Sequence, residues 1–143
     1  MRPPLRLPDG AAVLVDSAPI IYLLENHPLA RSFEPLFADI DSGRLQAVIT
    51  PITLAEVLTG PLKAGNEVLA ERYRTALTSP PGWTLRPLDA EVALLAARLR
   101  IKNRLKLPDA MQLAVALHEG CHALVTHDRD FGRVDELVIW TGE

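Results

Sequence analysis

The chain reads as an α/β protein, a single domain built on an open parallel sheet flanked by helices. Three observations carry that reading. Short apolar runs at Ala11–Val15, Gln46–Thr50 and Ala123–Thr126 alternate with longer stretches of helical periodicity, the pattern of βα units. The runs are apolar on successive residues rather than on every second one, as strands buried on both faces are. Breakers at Gly10, Gly43, Ser79-Pro80-Pro81-Gly82 and Gly120 separate them. At 143 residues the length suits one core. Residues 1–11 are expected to be an irregular leader and 12–143 the domain.

In order along the chain, Ala11–Val15 is the first strand, and Asp16-Ser17 supplies N-cap chemistry to a helix with Pro19 in its first turn. That helix ends near Asn26-His27-Pro28. Leu29, Phe33, Leu36, Phe37 and Ile40 share one helical face; Pro35 interrupts this helix and Gly43 ends it. Gln46–Thr50 is the second strand, and Thr53 opens a helix (TLAEVLTG) closed by Gly60-Pro61. Asn66–Leu77 is helical, with Val68, Leu69, Tyr73, Ala76 and Leu77 on one side. Trp83–Leu88 is a third strand that Pro87 confines to an edge or to its own end. Asp89 caps a helix reaching Asn103, with Glu91 in its first turn. Leu105–Glu119 is a nearly all-apolar helix that carries Pro108-Asp109 at its start; Ala123–Thr126 and Leu137–Trp140 are the last strands.

Apolar residues make up 48% and charged residues 23%, the balance of a globular domain, and the net charge of −3 argues against wholesale attraction to nucleic acid or membrane. A single cysteine, Cys121, excludes an internal disulfide and a cysteine zinc cluster; with no base partner in view it reads as inert. No apolar run is long enough to span a membrane, and the opening MRPPLRLPDG lacks the apolar core of a secretory signal. A cytoplasmic location without membrane contact is expected.

Acids punctuate the strand ends. In open parallel sheets, sites form beyond the carboxyl ends of the strands. Asp16 directly follows the first strand, Glu56 lies in the first turn of the helix after the second, and Asp128 follows the Ala123–Thr126 strand by one residue. Asp109 starts the apolar helix, and Asp130 follows Asp128 in HDRDF. Each has a structural reading: Asp16 as a cap, Thr53-x-x-Glu56 as a capping box, Asp109 as a first-turn acid, Asp128 and Asp130 as turn residues. Converging on one edge, however, they would repel unless a cation were bound. An all-oxygen set suits Mg²⁺ or Mn²⁺, which act on phosphates by activating water and offsetting charge on the leaving oxygen.

Four segments, VLVDSAPIIYLLE, TLAEVL, LPDAMQLAVAL and LVTHDRDF, in this order and spacing, resemble the PIN-domain ribonucleases, and among them the VapC-type toxins of type II toxin–antitoxin pairs. The resemblance covers about residues 12 to 140. It implies a PIN-like sheet and a Mg²⁺- or Mn²⁺-dependent endoribonuclease that hydrolyses RNA with metal-activated water, leaving a 5′-phosphate and a 3′-hydroxyl. It further implies a homodimer held in check by a small antitoxin. Asp16, Glu56, Asp109 and Asp128 stand at the family's metal-binding acids, Asp130 at an alternative ligand position, and Ser17 and Thr126 at hydroxyl residues that orient acids or waters. His127 stands where Asn or Arg is more common, and the leader is longer than usual. The other readings are a structure-specific DNA nuclease on the same fold, a haloacid-dehalogenase-like phosphatase, and a non-catalytic RNA-binding or scaffold module. The phosphatase wants an acid two residues after Asp16, where Ala18 stands. The non-catalytic module predicts lost acids.

Arg98, Arg100, Lys102, Arg104 and Lys106 form a basic run leading to Asp109, and with Arg129 and Arg133 it is a candidate for guiding an RNA backbone. The competing reading is a solvated face. His118, His122 and His127 lack zinc-ligand spacing. Trp83 and Trp140 are expected in the core or at an interface.

Overall fold

The structure, a computed structural model, describes residues 5–142; the first four residues of the expected leader lie outside it. Five strands, β1 (Ala12–Val15), β2 (Gln46–Ile49), β3 (Trp83–Leu85), β4 (Ala123–Val125) and β5 (Val138–Trp140), form one sheet in the order β3-β2-β1-β4-β5. Every neighbouring pair is parallel. β1 is central because its residues are apolar on both faces. Val13 and Val15 point into one core with Ile49, Val125, Phe33 and Phe37, whereas Leu14 points into the other with Leu124, Leu113 and Val115.

The first core is covered by α1 (Ser17–Leu24), a 3₁₀ turn (Pro28–Ser32), α2 (Glu34–Asp41), α3 (Pro51–Lys63) and α4 (Glu67–Thr78). The second lies under α5 (Ala90–Asn103) and α6 (Leu107–His118). All five strands run the same way, so Asp16, Thr50 and Thr126 come out at one edge of the sheet. The apolar α6 is buried because it lies against β1 and β4 on one side and α5 on the other. Gly120, with φ +67°, turns the chain out of α6 toward β4, in a conformation that costs a residue with a side chain.

Three local expectations are corrected. The helix expected over Leu29–Ile40 is split at Phe33 into the 3₁₀ turn and α2, because Pro35 fits only a first helical turn. α3 begins at Pro51 rather than Thr53, with Thr50 as its N-cap, so Thr53-x-x-Glu56 is not a capping box and Glu56 sits in the second turn. The same helix runs through Gly60-Pro61 to Lys63. Gly60 has no Cβ to clash with the proline ring, and only the last turn is left to complete. The strand expected over Trp83–Leu88 stops at Leu85 and lies at the sheet edge, as Pro87 requires.

Residues 5–10 have no regular structure but are not detached. Leu5 and Leu7 pack against the first core, and Arg44 donates to the Leu7 carbonyl at 2.7 Å.

Candidate metal centre

The sheet's carboxyl edge gathers acids from four separate parts of the chain. Asp16 is the N-cap of α1 and is buried. Its Oδ1 accepts from the Ser17 amide at 2.8 Å and from Gln112 Nε2 at 3.2 Å, and its Oδ2 accepts from Thr126 Oγ1 at 2.8 Å. Three neutral donors therefore fix the carboxylate without cancelling its charge. Thr126 also accepts from the Asp128 amide at 3.0 Å, so one buried hydroxyl ties the acid after β1 to the acid after β4. Asp128 in turn caps the 3₁₀ turn Arg129–Arg133 through the Asp130 amide at 2.9 Å.

Asp109 comes to the same place from α6, where it sits in the first turn. Oxygens of Asp109, Asp128 and Asp130 lie within 4.8 Å of one another. Burial, then the charges of Asp128, Asp16 and Asp130, push the Asp109 carboxyl up to about 7, against the opposing pull of Lys106. Glu56 is raised as well, first by loss of hydration around its carboxyl and then by the charge of Asp16, with Ser17 pulling the other way and Asp128 adding to the rise. Glu56 as a whole remains solvent-exposed. Asp109 thus feels Asp16, Asp128 and Asp130, and Glu56 feels Asp16 and Asp128. The one ion pair at the cluster joins Asp130 to the exposed Lys106 at a loose 3.7 Å, among the described residues.

Asp109, Asp128 and Asp130 are the tightest group, while Asp16 and Glu56 border it. Asp130, secondary in the sequence reading, is one of the three. Ser17 and Thr126 both sit at the site. The sequence reading missed Gln112, Thr50 and Thr53. Gln112 is buried in α6; its Nε2 donates to Thr53 Oγ1 at 2.6 Å as well as to Asp16, and its Oε1 accepts from Thr50. This chain links α1, α3 and α6 beneath the acids. The signal was a lone polar residue in the apolar stretch LPDAMQLAVAL.

The basic run divides. Arg104 and Lys106 line a cleft of about 430 Å³ beside the acids, together with Arg129, Arg133 and Asp130. Arg133 therefore joins this group. Lys102 is instead paired with Asp135 at 3.0 Å and Glu136 at 3.4 Å, and Arg98 and Arg100 are exposed on α5 and do not line the cleft. Cys121 is buried, and its thiol is pushed up to about 12, chiefly by that burial. Trp140 is buried in the first core, and Trp83 is partly buried against it.

A cluster of carboxylate donors, with no nitrogen or sulfur ligand among them, fits a hard divalent cation. No helix among the described residues is long and apolar enough to cross a membrane.

Comparison with known proteins gives the same picture from outside the site. The family model for the PIN domain matches residues 13–137. Among solved structures, a toxin–antitoxin complex from Klebsiella pneumoniae is 28% identical with a TM-score of 0.70, over 88% of this chain and 95% of that one. VapBC-5 from Mycobacterium tuberculosis, a member of the VapBC family of toxin–antitoxin systems, is 26% identical with a TM-score of 0.60, over 91% and 98%. VapC20 of the same organism, a toxin that cleaves the sarcin-ricin loop, shares the fold at 15% identity and a TM-score of 0.67, over 84% and 92%. The comparison with curated proteins gave no significant match.

Proposed function

The chain belongs to the PIN domain family, and from that premise we propose that it is a Mg²⁺- or Mn²⁺-dependent endoribonuclease, the toxin of a type II toxin–antitoxin pair. The observation that carries the reading is the convergence of Asp16, Glu56, Asp109, Asp128 and Asp130 at the carboxyl edge, with Asp109, Asp128 and Asp130 close enough to share one ion. In this reading Asp109, Asp128 and Asp16 hold the cation, with Glu56 and Asp130 completing its surroundings. When bound, a divalent ion of this kind supplies positive charge to the scissile phosphate and acidity to a water.

The chain's own residues do the rest. Ser17, Gln112 and Thr126 hold the Asp16 oxygens in place, so that little reorganisation is needed when a cation and a phosphate arrive. Glu56, whose proton affinity is raised, would take a proton from the attacking water. Arg104, Lys106, Arg129 and Arg133 line the adjoining cleft and would seat the backbone phosphates of a strand leading to the acids. The likeness to the Klebsiella toxin–antitoxin complex supports a small antitoxin as the protein partner. A homodimer and a cytoplasmic location belong to the same proposal.

The test is cleavage of single-stranded and stem-loop RNA by the purified protein with Mg²⁺, Mn²⁺ or chelator. Metal-dependent cuts are expected, reduced at least about 100-fold in Asp16→Asn and Asp109→Asn. A folded Asp109→Asn protein that cuts at the parent rate would overturn the assignment.

A further inference from the structure

A ladder of rings leaves the first core beside the acids. Trp140 and Phe33 are buried and packed edge to face, with centroids 5.7 Å apart at 90°. Phe33 meets the His127 ring at 6.2 Å and 80°, and Tyr22 meets it at 5.5 Å and 82°. The Tyr22 hydroxyl is hydrogen-bonded to His127 Nδ1 at 2.8 Å. On its other side Tyr22 stacks with His27, at 4.9 Å and 30°. His27 is itself held by the Leu29 amide at 3.0 Å.

Two features of His127 separate it from an ordinary surface histidine. It lies between Thr126, bonded to Asp16, and Asp128, a member of the acid group, yet no ion pair joins it to either acid among the described residues. Its Nδ1 is engaged by a phenol, and both neighbouring rings approach it nearly at right angles. The ring is consequently fixed at its edge while the residue stays exposed. A rigid, exposed, uncharged-partner ring one residue from a phosphate-handling group suits the flat face of a nucleobase, since every base has a π surface to stack. His127 directly precedes Asp128, so the ring and one of the clustered acids belong to the same loop after β4.

We propose that His127, oriented by Tyr22, is a stacking platform for the nucleobase of single-stranded RNA next to the scissile phosphate. The proposal rests on the nuclease reading and adds a determinant of which strand geometry is accepted. Tyr22 is a positioning residue here, acting through His127, and the competing view is that the pair only bolts α1 to the loop after β4.

The two views part in a stacking measurement. RNA oligonucleotides carrying 2-aminopurine at successive positions are bound to the Asp109→Asn protein in Mg²⁺, and fluorescence is read at each position. One position should be quenched. His127→Ala should abolish that quench and weaken binding by about 5- to 150-fold, the equivalent of one lost base stack. His127→Phe should retain both, and Tyr22→Phe should retain part of the quench. An abasic site at the quenched position should make the parent and His127→Ala proteins bind alike. Melting curves of each variant verify folding. A bolt alone would leave no quenched position, or a quench unchanged in His127→Ala, and either result overturns the platform. RNA that is bound and quenched but never cut by the parent protein would overturn the nuclease reading and leave the platform standing. RNA cut with no position quenched would overturn the platform alone.

Discussion

Asp109→Asn should stabilise the metal-free protein, by an amount that grows from about pH 4 and is complete above about pH 7. The carboxyl is raised from 3.8 to about 7, which in a water-excluded site would correspond to about 4 kcal/mol at 1.36 kcal/mol per pH unit. Asp109 is only half-buried, and solvent screening reduces this to about 1–2 kcal/mol. Below the unfolded value of 3.8 both folded and unfolded chains carry the proton, Asp109 resembles a neutral amide, and the two proteins should melt together. Between 3.8 and about 7 the unfolded chain releases its proton while the folded chain holds it, so the parent loses this stability as pH rises. By pH 8, in chelator, the asparagine variant should melt about 3–6 °C higher. Saturating Mg²⁺ or Mn²⁺ should raise the parent by binding linkage and narrow the gap. Thermal melts from pH 4 to pH 8 measure this directly. Equal melting temperatures at pH 8, or a gap as wide at pH 4 as at pH 8, would refute the picture of repelling acids.

Gln112→Ala should cost about 2–4 kcal/mol in chemical denaturation. It removes volume from a packed helix and strands the Thr50 and Thr53 hydroxyls, which lose their buried partner. The variant should also bind Mn²⁺ about 10- to 100-fold more weakly in a titration, because Asp16 loses one of its three donors. Arg104→Gly should act in opposite directions on two readouts. Arg104 ends α5 in the left-handed conformation (φ 55°), which glycine adopts without steric cost, so stability should rise by about 1 kcal/mol. RNA affinity should fall and its salt dependence should become shallower, as when one phosphate contact is lost.

The parts of this protein that local chemistry decides could be read from the chain, and the parts that packing decides could not. Asp16 and Asp128 announce themselves because Asp16 directly follows an apolar strand and Asp128 comes shortly after another. The parallel sheet was legible from the same strands. Gly60-Pro61 misled because breaker signals are local, whereas the helix continues on the strength of its packing against α4. Thr50 looked like the end of a β run and is instead the cap that sets the frame of α3. Gln112 bonds to residues 62, 59 and 96 positions away, a set of distances that no helical or strand period encodes. Lys102 belonged to a basic run by composition, but Asp135 and Glu136 come beside it only in the folded state.

The clearest mark of the site is the contrast between two populations of carboxylates on one small domain. Away from the carboxyl edge, several acids are matched with cations. Asp39 is held below its ordinary value by a hydrogen bond from Arg44, Asp89 by the Val92 amide it caps and by Arg86, and Asp135 by Lys102. At the edge, Asp109 and Glu56 move the other way, raised first by lost hydration and then by the charges of Asp16 and Asp128. Asp16 is oriented by an amide, a glutamine and a threonine where an arginine would have been the stabilising choice. An acid that serves the fold is stabilised by neutralising it. Acids proposed to receive a cation are better positioned by neutral donors, because a closely paired arginine or lysine would occupy the place the ion needs; Lys106, exposed and 3.7 Å from Asp130, is the loose exception. The repulsion at this edge, eased only by Lys106 among the described residues, is therefore a cost to the metal-free fold that a bound divalent ion would remove.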